Sequence, residues 1–265
     1  MFEFSEIQNS YFILSLVGLI IGLLGTMLGG GGGFFFLPVL TLLIGVPAQT
    51  AVITSLVATL PICIVGSLSH YYKGNIDFKV GLKFAFAGII GAFVGAAITS
   101  MISADQLKIS FGIYSIAIAL NIVVDTQRKK QAENKITERQ KLTVLGKNVR
   151  SSFFGFLAGT ITGAFGTSGT APVLAGLFTL RLPLKLVIGT SLLVVLCNTI
   201  FAVGAHFLVG KIDLTLVCFL TAGSAVGALI GPKFLSKIKT DKSENKVRYL
   251  YAAVMIVLGV LMIAA

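Results

Sequence analysis

Residues Leu23–Leu40 read LLGTMLGGGGGFFFLPVL, and five consecutive glycines, Gly29, Gly30, Gly31, Gly32 and Gly33, interrupt an otherwise apolar run. Glycine is about 1 kcal/mol worse than alanine at a helical position. A run of five ends one helix and lets another begin. The surrounding residues are those of a lipid-exposed segment, so the break is expected at membrane depth.

The rest of the chain supports that setting. Its 265 residues are 55% hydrophobic and 12% charged, with a mean hydropathy of +0.95. Several apolar runs reach the roughly 20 residues that span a bilayer as a helix. This composition predicts an all-α, polytopic membrane protein and excludes a sizeable soluble domain. The first residues, MFEFSEIQNS, lack the basic region of a cleaved signal peptide. The first span is therefore expected to direct insertion itself. The net charge of +11 invites a nucleic-acid reading, but Lys and Arg gather in short loops, as the positive-inside rule requires. Cys63, Cys197 and Cys218 all fall in apolar runs without metal-ligand spacing. No metal and no cofactor is expected.

The chain repeats itself. Thr54, Ser55, Leu56, His70, Gly74, Ile76, Asp77, Gly91, Ala92 and Gly95 recur 136 positions later as Thr190, Ser191, Leu192, His206, Gly210, Ile212, Asp213, Gly227, Ala228 and Gly231. The opening stretch recurs at an offset of 134: GTMLGGGGGFFFLPVL aligns with GTITGAFGTSGTAPVL, Gly159–Leu174. Gly25, Thr26, Gly29, Gly32 and Pro38 fall on Gly159, Thr160, Gly163, Gly166 and Pro172. Residues 1–124 and 149–265 thus form two repeats, and 125–148 is a basic linker. Each repeat reads as a broken or re-entrant helix pair followed by three transmembrane helices. The predicted spans are 48–72, 79–102 and 106–124 in the first repeat, and 185–209, 214–232 and 248–264 in the second.

Region 125–150 holds eight basic residues against three acidic, and 233–248 holds six against two. Both are expected in the cytoplasm. If each broken segment leaves the membrane on the side it entered, each repeat crosses an odd number of times. The second repeat is then inverted, with the N-terminus outside. Only Lys108 and Lys211, of 21 basic residues, fall outside in this arrangement.

Irregular backbone at membrane depth is tolerated where protein buries it or where it lines a cavity. In transporters such breaks hold ligands, because helix N-termini offer free N–H groups and a positive dipole end. The segment after the first break, about 11 residues, would be about 17 Å long at 1.5 Å per residue. That places the break near the midplane. The first break offers bare backbone at Gly29–Gly33. The second, GTSGT, offers Gly166 and Gly169 with the hydroxyls of Thr167, Ser168 and Thr170. Facing each other, they would form a small, cation-poor, donor-rich pocket suited to an oxyanion.

Other candidates divide more evenly. The hydroxyls of Thr54, Ser55, Thr190 and Ser191 could bind substrate or bond back to their own helix. Asn198 is polar at mid-span and could line the path. His70 and His206 stand near helix ends, where a histidine is usually wetted. They are the nearest titratable groups to a path and could gate it or move protons. Asp77 and Asp213 are placed to cap the helices that follow. Gly91-xxx-Gly95 and Gly227-xxx-Gly231 have the spacing of helix packing faces.

The glycine-rich break ending in Pro38, the second break ending in Pro172 and the two Thr-Ser pairs resemble the TauE/SafE sulfite exporter family over nearly the whole chain. The resemblance implies a bacterial or archaeal transporter that exports sulfite, an organosulfonate or a related sulfur anion across the cytoplasmic membrane. It implies substrate contacts at Gly29–Gly33, Gly166–Thr170, Thr54, Ser55, Thr190 and Ser191. The partners expected are that small anion and the lipid bilayer, with no nucleic acid; the sequence leaves the oligomeric state open. An anion channel and an importer of sulfur compounds would share these features. A remote alternative is an intramembrane serine hydrolase, with Ser168 of GTSG as nucleophile and His206 as base.

Overall fold

A computed structural model describes residues 2–6, 10–28, 32–132, 144–180, 182–207, 212–235 and 244–265. Gly29, Gly30 and Gly31 of the first break lie outside the described residues, as do Arg181, Gly210 and Lys211. The described chain is almost wholly helical. Helix α1 spans Ser10–Leu28, and after the break α2 spans Gly33–Pro38 and continues as one wider π-helical turn, Val39–Leu43. Helices α3 (Ala48–Tyr72), α4 (Phe78–Met101) and α5 (Ala104–Ala132) follow. The second series is α6 (Val144–Phe165), α7 (Thr170–Thr179), α8 (Leu184–Phe207), α9 (Leu214–Leu235) and α10 (Glu244–Ala264).

Most element boundaries match the sequence reading; three features do not. Helix α5 runs past residue 124 into the polar segment, because QRKKQA consists of good helix formers. The π-helical turn follows Pro38, whose ring removes a backbone N–H and crowds the preceding turn. Thr41 Oγ1 donates to the Leu37 carbonyl there at 2.8 Å. Third, the chain is not purely helical. A two-residue strand, β1 (Phe2–Glu3), pairs in parallel with β2 (Ile212–Asp213) at the start of α9.

Among the described residues, α3, α4, Ala104–Gln127 of α5, and α8 are long and apolar enough to cross a membrane. Their surfaces are the reverse of those of a water-soluble bundle. Helix α4 buries Gly81, Gly88, Gly91 and Gly95 and exposes Leu82, Phe86 and Phe93, with Phe86 74% exposed. Lipid offers no hydrophobic drive to bury large side chains, so small residues mark the contact face.

Those glycines set helix direction. Gly155, Gly159 and Gly163 of α6 meet Phe84, Gly88 and Ala92 of α4 in that order, so α4 and α6 run parallel. Gly18 and Gly22 of α1 meet Leu220 and Ser224 of α9, again in parallel. Gly91 and Gly95 lie against Phe156 and Thr160, and Gly227 against Leu19, with no room for a Cβ. At these three positions the Gly-xxx-Gly motifs are packing faces, as their spacing indicates. Corresponding helices of the two repeats run antiparallel where they touch. On α3 and α8, Gly66 meets Leu192 while His70 meets Gly189. On α5 and α10, Gly112 meets Gly259 and Ser115 Oγ donates to the Met255 carbonyl at 2.6 Å.

Each repeat's first helix therefore packs chiefly on the other repeat: α1 on α9 and α6 on α4. The two short helices sit inside this bundle. Phe36, Leu37 and Leu40 are buried in one cluster with Val52 and Leu56 of α3, and Val173 and Leu177 of α7 are buried with Phe84 and Val194.

Gly159→Val should force α6 away from α4 and lower stability by about 1–3 kcal/mol. Phe86→Ala, on the lipid-facing side, should change it by less than about 0.5 kcal/mol. Melting temperatures of the purified proteins in detergent measure both.

Candidate functional site

The two breaks use the same backbone device. Gly32, just before α2, has φ 68°, and Gly166, just after α6, has φ 64°. The repeat alignment pairs these two glycines. Both occupy the left-handed region, where a side chain is strained, and neither has room for one. Gly32 faces Ile21, and Gly166 faces the Val52 carbonyl of α3. Gly169 then stands at the N-cap of α7. Pro172 lies in the first turn of α7, where its missing N–H costs no helical hydrogen bond.

The breaks meet. A Cβ built on Gly33 would lie 3.2 Å from the Ser168 amide nitrogen, 3.4 Å from the Gly166 carbonyl oxygen and 2.6 Å from Thr59 Oγ1. Thr59 is halfway along α3, whereas Gly166 faces Val52, nearer the start of that helix. Ser168 and Thr170 bond to each other, Oγ to Oγ1 at 2.8 Å. Thr167 is buried, and its Oγ1 has no partner among the described residues.

A helix that stops inside a membrane leaves carbonyls without the N–H groups of a following turn. The end of α6 is satisfied one group at a time. The Gly166 N–H donates to the Thr162 carbonyl at 3.0 Å. Thr99 Oγ1 of α4 donates to the Ala164 carbonyl at 2.7 Å. His206 Nε2 of α8 lies 2.6 Å from the Gly163 carbonyl; a carbonyl only accepts, so that nitrogen carries the hydrogen. His206 is 3% exposed, which overturns the expectation of a wetted ring. The sequence reading missed Thr99 and Thr59. Nothing separates them from other threonines in apolar helices until the helices are placed.

The Thr-Ser pairs divide in use. Thr54 Oγ1 donates to the Thr50 carbonyl at 2.8 Å, Ser55 Oγ to Ala51 at 2.6 Å, and Ser191 Oγ to Ile188 at 2.8 Å. These three hydroxyls donate within their own helices. Thr190 Oγ1 instead accepts the Asp77 N–H at 2.9 Å, tying α8 to the turn before α4. The two aspartates cap as expected: Asp77 Oδ1 accepts from the Val80 N–H at 3.1 Å, and Asp213 Oδ1 from the Thr215 N–H at 3.0 Å. His70 lies beside Gly189, away from the breaks, and its Nδ1 is buried without a partner among the described residues. Asn198 is fully buried against Gly88 of α4. Neither its Nδ2 nor its Oδ1 has a partner among the described residues.

Lipid-facing helices that enclose two facing breaks and a set of buried hydroxyls make a multi-pass membrane transporter. Comparison with known proteins agrees. The family model described as "Sulfite exporter TauE/SafE" matches residues 14–262. A probable membrane transporter protein of Bacillus subtilis, YdhB, is 31% identical over 225 residues, covering 84% of this chain and 87% of the relative. A probable membrane transporter protein of Methanocaldococcus jannaschii is 25% identical over 266 residues, covering 95% and 94%. This chain belongs to the TauE/SafE sulfite exporter family. It is a transporter and not an enzyme, and the serine-hydrolase alternative falls. His206 Nε2–H, for its part, is committed to the Gly163 carbonyl.

Replacing His206 with Ala should leave the buried Gly163 carbonyl with only the long 3.4 Å bond from Thr99 Oγ1 and cost about 1–3 kcal/mol. Thr54→Val, which removes only a bond within its own helix, should cost less. Thermal unfolding in detergent ranks the two.

Proposed function

We propose that this transporter is a secondary carrier that exports a small sulfur oxyanion, sulfite or an organosulfonate, bound where the two breaks meet. The observation that carries this reading is the contact of Gly33 with the Ser168 amide and the Gly166 carbonyl. A ligand there is within reach of the Thr59, Thr167, Ser168 and Thr170 hydroxyls. The first turn of the ten-residue α7 adds the positive end of a helix dipole. Such donors suit an oxyanion, each oxygen of which accepts more than one hydrogen bond. Gly29, Gly30 and Gly31 enter only through their sequence, as backbone with no side chain between it and a ligand.

The second repeat is taken as inverted relative to the first across the cytoplasmic membrane. The N-terminus would lie outside and residues 125–148 inside. Support comes from the antiparallel pairing of α3 with α8 and of α5 with α10, and from the distribution of Lys and Arg. An interior-negative potential favours exit of an anion by about 2.3 kcal/mol per charge per 100 mV. Export down that gradient needs no coupling ion. Residues 1–124 and 149–265 are then two structural repeats of one transport unit.

Proteoliposomes loaded with unlabelled sulfite should accumulate labelled sulfite by saturable counterflow. Flux that is linear in concentration and shows no counterflow would make the protein a channel. Thr167→Val and Ser168→Ala should each raise the half-saturating concentration about three- to tenfold, as expected for loss of one hydrogen bond of about 0.5–1.5 kcal/mol. Unchanged saturation in both would remove the substrate from the breaks.

A further inference from the structure

The turns before α4 and α9 occupy matching places in the two repeats and are held by different means. Before α4, the Asn75 carbonyl lies against Gly189 of α8, with no room for a Cβ, and the Asp77 N–H donates to Thr190 Oγ1 at 2.9 Å. The positions on α3 that match Gly189 and Thr190 are Ile53 and Thr54. Ile53 carries a full side chain where Gly189 has none, and Thr54 Oγ1 donates to the Thr50 carbonyl. Among the described residues, the turn before α9 thus lacks the hydrogen-bonded clamp of its counterpart.

The N-terminal segment stands in for that clamp. Phe2 and Glu3 pair in register with Ile212 and Asp213. Thr215 Oγ1 donates to the Ser5 carbonyl at 3.0 Å, and the Tyr11 hydroxyl of α1 donates to Ser5 Oγ at 3.1 Å. The segment therefore straps the start of α1 to the start of α9. Ile212, on the strapped turn, is 2% exposed and buried in one cluster with Ile53 of α3 and Val217 of α9. One residue back along α3, Val52 presents its carbonyl to Gly166 of the second break. A line of contacts thus runs from the strap to the break. The strap itself is weakly held: Phe4 and Glu6 are exposed. A two-stranded ribbon is marginally stable by itself, and segments held by few, solvent-exposed backbone bonds open first.

We propose that residues 2–6 are a latch on the N-terminal mouth of the transporter. Strapped, they hold the turn before α9 against α3; released, they let that turn move away and open the breaks to that side. The inference rests on the reading of the breaks as the substrate site. Alternating access needs each mouth to open in its turn. The turn before α4 follows the end of α3, and the turn before α9 lies near its start, so the two stand at opposite ends of the bundle. A helix clamps one end, and an exposed ribbon closes the other. The ribbon end is the easier to open, as export toward the N-terminal side requires.

The first test needs no substrate. Thr59→Cys, in the full chain with Cys63, Cys197 and Cys218 changed to Ala, puts a thiol beside Gly33 at the breaks. A membrane-impermeant maleimide is added on the N-terminal side of sealed vesicles. Thr215→Val, which unties the strap from α9, should speed labelling about three- to tenfold, the shift expected from loss of one hydrogen bond. Labelling from the opposite side should not speed up. An unchanged rate from the N-terminal side, or a rise from both sides as in a loosened bundle, overturns the latch. The second test locks it. Ser5→Cys with Thr215→Cys, in the same cysteine-free chain, is oxidised to a disulfide. Sulfite counterflow should stop and should return on reduction. Counterflow as fast in the disulfide form as in the reduced form overturns the latch. If neither form moves sulfite, the substrate reading fails, and the labelling result still decides the latch.

Discussion

A peptide group in hydrocarbon has no water to bond to, and each unpaired one costs several kcal/mol. The hydrogen bonding around the second break follows from ending a helix inside the bundle. At the second break, the carbonyls of Thr162, Gly163 and Ala164 receive hydrogen bonds from the Gly166 backbone, His206 and Thr99 in turn. The donors come from the loop, from α8 and from α4. The break is thus held by three separate parts of the fold, which no isolated helix pair could supply.

Those donors reach the break only because the helices lie close together. Gly159 against Gly88, and Gly163 against Ala92, bring the backbones of α6 and α4 into contact without an intervening side-chain layer. Thr99 on α4 then falls within a hydroxyl's reach of the α6 terminus. Small residues here position the polar groups as well as holding the bundle together. The breaks, the glycine faces and the buried histidine work as one arrangement: closing the carbonyl end of α6 leaves the amide end of α7 to face the first break.

Much of this was legible in the sequence. The repeat was visible because matched Thr-Ser pairs, histidines and glycines recur at a constant offset, and the breaks because no continuous helix tolerates Gly29–Gly33. Hidden were the facts that depend on which way a side chain turns. Helix α4 is apolar on all sides, so hydropathy alone does not show that Phe86 faces lipid while Gly88 faces the interior; only the glycine spacing hints at it. Thr59 and Thr99 look like any threonine in an apolar helix. His206 reads as a residue at a helix end, yet α6 lies across it and removes it from solvent. The paired motifs at 54–55 and 190–191 are identical in sequence and different in bonding, because Thr190 meets the Asp77 amide and Thr54 donates within its own helix.

Helix α1 docks on α9 and α6 docks on α4, so each repeat completes the bundle of the other. A half-length chain folded this way would expose its long glycine faces and leave its break uncapped. It would have to borrow a first helix from a second copy packed beside it with corresponding helices antiparallel. Gene fusion of such a head-to-tail pair would keep every contact and free each copy to diverge. The sequences of the two breaks, five glycines in one and Gly-Thr-Ser-Gly-Thr in the other, differ in a way that a fused chain permits and a symmetric dimer forbids.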